Sequence, residues 1–127
     1  MSVSIDHLGL PARDAAAAAG WLAEILGLEA PVPDGPEGDL YTVALSGTSS
    51  VVFSTEPSVP SHHVAFGVDQ AAFSAVVERL RQRGLSFGND PEDPSNGATS
   101  DPLGGLGRVY FRSPDGHFLE VTVSQAT

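Results

Sequence analysis

Apolar and polar positions recur with two periods along this chain, and the switches between them mark the elements. Val3 to Leu10 alternates over a short run and predicts a strand that Pro11 is expected to end. Ala15 to Leu26 sets Trp21, Leu22, Ile25 and Leu26 at helical spacing, with Asp14 placed to cap the start and Gly27 the end. Residues 29–39 are rich in Pro, Gly and Asp, so they read as a loop with room for one short strand. Leu40 to Leu45 and Ser50 to Thr55 flank Ser46-Gly47-Thr48-Ser49 as a hairpin. A further strand spans His62 to Val68. Asp69 then caps a helix whose stripe is Phe73, Val76, Val77 and Leu80, and Gly84 closes it. After a long Pro/Gly/Asp/Asn stretch from Gly88 to Gly107, the chain returns in a hairpin. Its strands are Arg108 to Arg112 and His117 to Val123, joined by Ser113-Pro114-Asp115-Gly116.

The two halves share this plan. A strand carrying His7 leads to a helix closed by Leu26-Gly27-Leu28, and a strand carrying His63 leads to a helix closed by Arg83-Gly84-Leu85. The histidine-to-glycine spacings are 20 and 21 residues, and more strands follow in each half, so an internal duplication of modules at about 1–60 and 61–127 is expected within a single domain. The fold class is α+β, with the helices on one face of the sheet.

Strand parity then decides which side chains share a face. Leu119, Val121 and Val123 belong on the helix-packed side of the last strand, which turns Phe118, Glu120 and Thr122 the other way. Val64, Phe66 and Val68 leave His63 on that same open side, and Leu8 and Leu10 do so for His7. Tyr110 joins the Glu120 face by alternation with Val109 and Phe111. Two neutral imidazoles and a carboxylate on one face suit a divalent metal with open coordination positions, and Fe, Mn, Ni and Zn all tolerate such a set.

Composition narrows the partners. Six basic against sixteen acidic residues give a formal charge of −10, which disfavours nucleic acid and anionic membranes. No apolar run approaches the ~20 residues that span a bilayer. Without cysteine there is no disulfide and no thiolate ligand. The first six residues lack the basic start and apolar core of an export signal, so a cytoplasmic location is expected.

Three segments together resemble the vicinal oxygen chelate superfamily, which includes glyoxalase I, extradiol dioxygenases, fosfomycin-resistance thiol transferases and bleomycin-binding proteins. They are Ile5-Asp6-His7-Leu8-Gly9-Leu10, His63-Val64-Ala65-Phe66-Gly67-Val68, and the ending Tyr110-Phe111-Arg112-Ser113-Pro114-Asp115-Gly116-His117-Phe118-Leu119-Glu120. The resemblance covers the whole chain. It implies two βαβββ modules forming a cupped mixed sheet, a metal held by His7, His63 and Glu120, and a homodimer that often builds each site from both subunits. It implies either an enzyme acting on a small oxygenated metabolite or a metal-independent protein that sequesters an antibiotic-like molecule. In the enzyme reading Glu120 can act transiently as base and Tyr110 positions the substrate.

Departures from the resembled families narrow the chemistry. Glyoxalases carry a fourth ligand, a glutamate, late in the first module. Aligning Val51-Val52-Phe53-Ser54 sets Phe53 there, with Glu56 three residues on and on the other face. The extradiol enzymes share a tyrosine ten residues before the glutamate but also use a histidine in the region matching Asp101 to Leu103, where this chain has none. The fosfomycin enzymes use a threonine where Gly9 stands and an arginine beyond the glutamate, where the chain reads Ser124-Gln125-Ala126-Thr127.

The other polar residues near the site read more plainly. His62 points away from the His63 face, and His117 at the turn end is expected to be exposed. Trp21 and Phe73 read as core. Arg108 and Arg112 flank Tyr110 and balance the acidic loop or hold an anionic substrate. Residues 88–107 are either a lid or a surface loop.

Overall fold

The computed structural model describes residues 2–124, and the chain divides into two compact units, residues 1–60 and 61–127. The first unit runs β1 (His7–Ala12), α1 (Ala15–Leu26), β2 (Val32–Asp34), β3 (Leu40–Ala44) and β4 (Ser50–Thr55). The second runs β5 (His63–Val68), α2 (Gln70–Gln82), β6 (Arg108–Arg112) and β7 (Phe118–Val123). Each unit has one mixed sheet, ordered β1-β4-β3-β2 in the first and β5-β7-β6 in the second. In both, the opening strand lies parallel to the last strand of its unit. The crossover helix between them makes that parallel pairing possible.

The helices form where their caps predict. The Asp14 carboxylate accepts from the Ala17 N–H at 3.1 Å, and Gly27 closes α1 at φ 70°. The Asp69 carboxylate accepts from the Ala72 N–H at 2.8 Å, and α2 ends on Arg83 just before Gly84 at φ 65°. Each N-cap contributes about 1 kcal/mol. The buried stripe of α1 is Ala15, Ala19, Leu22, Ala23 and Ile25, so Trp21 and Leu26 flank it half-buried instead of centring it. These small residues let α1 lie close against Leu10, Ala12, Val43, Val51 and Phe53, all buried. In the second unit Phe73, Val76, Val77 and Leu80 of α2 are buried together with Phe66, Leu119 and Val121.

Two strand boundaries differ from the sequence reading. β1 begins at His7, not Val3, and runs through Pro11 to Ala12. It is the edge strand of its sheet, next to β4, a position where a strand tolerates proline because the N–H that it lacks can fall on the outer side. In the second unit the second strand of the expected βαβββ module, the counterpart of β2, shrinks to one bridge, with Gly88 N–H donating to Tyr110 C=O at 3.2 Å and Tyr110 N–H donating back at 2.7 Å. A Cβ at Gly88 would stand 2.8 Å from the Asn96 nitrogen and 2.9 Å from the Asp93 carbonyl oxygen, so only glycine fits. Residues 89–107 then form a loop tied by its own hydrogen bonds. Asn96 Nδ2 donates to Asn89 Oδ1 at 2.9 Å, Asn89 Nδ2 donates to the Ser100 carbonyl at 2.8 Å, and Arg108 N–H donates to the Thr99 carbonyl at 3.1 Å. Among the described residues, no helix is long and apolar enough to cross a membrane.

Candidate functional site

In the second unit the open face of the sheet gathers the predicted residues. The β5–β7 register pairs His63 with Phe118 and Ala65 with Glu120, while β6 sets Tyr110 against Glu120 from the other side. His63 therefore reaches Glu120 on a diagonal, and its Nε2 lies 2.9 Å from Oε1. The imidazole is half exposed and the carboxylate is 8% exposed, so one partner faces solvent while the other is held in the sheet. Two donors about 2.1 Å from one ion at right angles to it stand about 3.0 Å apart. The His63–Glu120 spacing thus fits a shared metal as well as it fits a hydrogen bond.

The second Glu120 oxygen accepts a hydrogen bond from Arg108 Nη1. Arg108 is itself held by Asp101, with Nε donating to Oδ1 at 3.0 Å and Nη2 to Oδ2 at 3.5 Å. The hydrogen bond from Arg108 holds the Asp101 carboxyl below its usual 3.8, and the hydrogen bond to Asp101 in turn raises the Arg108 guanidinium above its ordinary value. A chain of groups therefore runs His63–Glu120–Arg108–Asp101, from the sheet into the 89–107 loop. Of the two expected roles for Arg108, balancing the acidic loop is the one the geometry supports, because each of its three guanidinium nitrogens donates to a carboxylate. Arg112 lies 4.7 Å above the Phe118 ring and donates to the Gly116 carbonyl at 3.0 Å. Tyr110 is buried and stacks on Phe118, with centroids 5.3 Å apart and planes 15° apart.

In the first unit His7 occupies the position equivalent to His63. Its burial pattern leaves His7 and Gly9 exposed while Leu10 and Ala12 are buried, so the imidazole is on the open face as parity predicts. His7 Nδ1 lies 2.8 Å from Asp6 Oδ1, which leaves Nε2 as the nitrogen that could take a metal. The position equivalent to Glu120 is not Phe53. The β1–β4 register sets Gly9 against Val52, as Ala65 is set against Glu120, and β3 places Thr42 where β6 places Tyr110. Phe53 lies one residue away, on the helix side, and is 4% exposed. The absence of a carboxylate at this position stands, but the residue in question is Val52. Within neither unit do three His, Asp or Glu side chains of the described residues gather at metal-ligating distance.

His117 departs from its expected exposure. It is 2% exposed, and its Nδ1 accepts from the His62 N–H at 3.0 Å. The cause is that the β5–β7 contact extends past both strand ends, with Phe118 N–H also donating to the His62 carbonyl at 2.9 Å. His62 itself is exposed. Asp101 is the functional neighbour that the sequence does not reveal, because a loop residue has no parity to place it. Residues 125–127 of the arginine-free tail lie outside the described residues.

A pocket of about 300 Å³ opens beside this face, lined by Asn89, Asp90, Pro91, Pro102, Leu103, Arg108 and Tyr110.

A family model for the Glyoxalase/Bleomycin resistance protein/Dioxygenase superfamily matches residues 4–121. No curated protein matches the sequence. Among solved structures, Oxidase ChaP-H1 is 35% identical, covers 98% of each chain and superposes with a TM-score of 0.87. Oxidase ChaP-H2 is 31% identical over 99% of this chain and 97% of its own, with a TM-score of 0.85. TnmS3, an antibiotic binding protein from Streptomyces sp. CB03234, shares the fold at 22% identity over 98% of this chain and 99% of its own, with a TM-score of 0.69.

Proposed function

Because the chain belongs to the glyoxalase/bleomycin resistance protein/dioxygenase superfamily, we propose that it is a metal-dependent enzyme acting on a small oxygenated metabolite, with His7, His63 and Glu120 as the metal ligands. The observation that carries this reading is the 2.9 Å approach of His63 Nε2 to Glu120 Oε1 on an open sheet face. A divalent cation held there supplies Lewis acidity and positions for two vicinal oxygens. The chain's own residues do the rest. Arg108 fixes the Glu120 carboxylate through one oxygen and leaves the other toward His63, as the hydrogen-bonded outer partners of metal ligands do. Tyr110, beside Glu120 in the register, presents an aromatic wall and a phenol to orient substrate. The oxidase names of two relatives above 30% identity favour oxidation as the reaction class.

A second reading, metal-free sequestration of a small molecule, draws on Arg108. This residue already neutralises Glu120 without any ion, and TnmS3 is an antibiotic binding protein of the same fold. Titration of tag-free protein with Fe(II), Mn(II), Ni(II) and Zn(II), repeated on His63→Ala and Glu120→Gln, separates the two. The enzyme reading expects micromolar or tighter binding that each variant weakens at least tenfold. Binding that is absent, or unchanged in both variants, sinks it.

A further inference from the structure

We propose that the pocket beside the His63–Glu120 face is a site for flat, apolar, neutral or cationic molecules, and that it rejects anions. Its volume of about 300 Å³ lies at the small end of ligand pockets and has room for a two-ring aromatic. Pro91, Pro102 and Leu103 line it with apolar surface, and Tyr110 continues that surface as a flat ring backed by Phe118. Leu103, at the rim, is 80% exposed, a large apolar side chain that a seated ligand would cover.

The charge preference follows from how Arg108 is used. It is the basic residue among the pocket-lining side chains, and on its own it would invite a carboxylate or phosphate. Its Nε, Nη1 and Nη2 are already committed to Asp101 and Glu120. Asp90 lines the same pocket, with its Oδ1 accepting from the Glu92 N–H at 2.9 Å. Asp90 in the lining, with Asp101 and Glu120 on Arg108, sets three carboxylates against one guanidinium and leaves a net of two negative charges beside the pocket. An anion entering it meets net repulsion and must compete with Asp101 and Glu120 for the Arg108 guanidinium. A metal ion on Glu120 would offset part of this field, so discrimination is sharpest in the metal-free protein. The inference does not depend on the metal reading.

The test uses three probes of one shape, 2-naphthol, 2-naphthylmethylammonium and 2-naphthoate, titrated into the chelator-treated full chain and followed by amide NMR shifts. The neutral and cationic probes are expected to shift Asn89, Leu103, Arg108 and Tyr110, with the naphthoate at least tenfold weaker. Asp101→Asn, which releases Arg108, is expected to recover naphthoate binding while changing naphthol affinity less than threefold. Asp90→Asn should recover part of it without touching the Arg108 network, which guards against a folding defect in the first variant. Added salt should narrow the gap between the naphthoate and the naphthol. Naphthoate binding as tight as naphthol, shifts that fall elsewhere, or no binding by any probe overturns the proposal.

Discussion

Val52 stands opposite Gly9 in the same register in which Glu120 stands opposite Ala65. The two units thus present equivalent positions, one aliphatic and one acidic, on their open faces. This makes Val52→Glu the substitution that would supply a fourth ligand, a second carboxylate. If His7 and Val52 share a face as the register requires, Val52→Glu should tighten divalent-ion binding about tenfold, equal to ~1.4 kcal/mol. Phe53→Glu should bring no such gain and should destabilise the protein by about 3–5 kcal/mol, since it leaves a cavity and buries a charge. Calorimetric metal titration together with thermal melts checks both. A gain from Phe53→Glu would show that the register is read wrongly.

Arg108→Met removes the positive partner of a carboxylate that is only 8% exposed. The expected destabilisation is about 2–3 kcal/mol, mostly from leaving Glu120 unpaired in the sheet. Combining it with Glu120→Gln should cost less than the sum of the single changes, because the second removes the charge that the first strands. A double-mutant cycle by urea denaturation measures this coupling.

Asp101 sets a pH dependence with a definite sign. Its folded-state pKa is depressed below 3.8 by Arg108, so the pair's contribution is complete above that unfolded-state value. It is lost as pH falls through the lower folded-state value. Wild type should therefore melt above Asp101→Asn at pH 7, and the gap should narrow as pH falls below 3.8 and close once pH passes the lower folded-state value. A gap that persists unchanged in acid, where Asp101 is protonated in the folded and unfolded states alike, would mean that its side chain acts through shape alone.

Gly88→Ala and Gly9→Ala form a contrast pair. The added methyl meets backbone atoms at under 3 Å in the first case and nothing within 4 Å in the second. Gly88→Ala is expected to destabilise by about 1–3 kcal/mol and to speed amide exchange at Tyr110, whose N–H bonds to Gly88. Gly9→Ala should stay within ~0.5 kcal/mol of wild type. Thermal melts and hydrogen exchange read both outcomes.

The local rules carried far in this chain because their signals are local. Helix periodicity with Asp14, Gly27, Asp69 and Gly84 as punctuation set both helices to within a residue or two. The period-2 alternation of side chains was enough to put His7, His63, Tyr110 and Glu120 on the open faces of their strands. Parity within a strand, however, says nothing about which residue of a neighbouring strand lies opposite. The register therefore sets Val52, not Phe53, at the position equivalent to Glu120, and the edge position lets β1 continue through Pro11. Burial of His117 and capture of Arg108 by Asp101 and Glu120 depend on contacts between segments far apart in sequence. They arise only when the β5–β7 ladder and the 89–107 loop close, because side-chain hydrogen bonds reach only about 3 Å and have no period along the chain. The sequence by itself thus determined the faces and the donor types, while the tertiary structure decided the register, the charge network and the pocket they enclose.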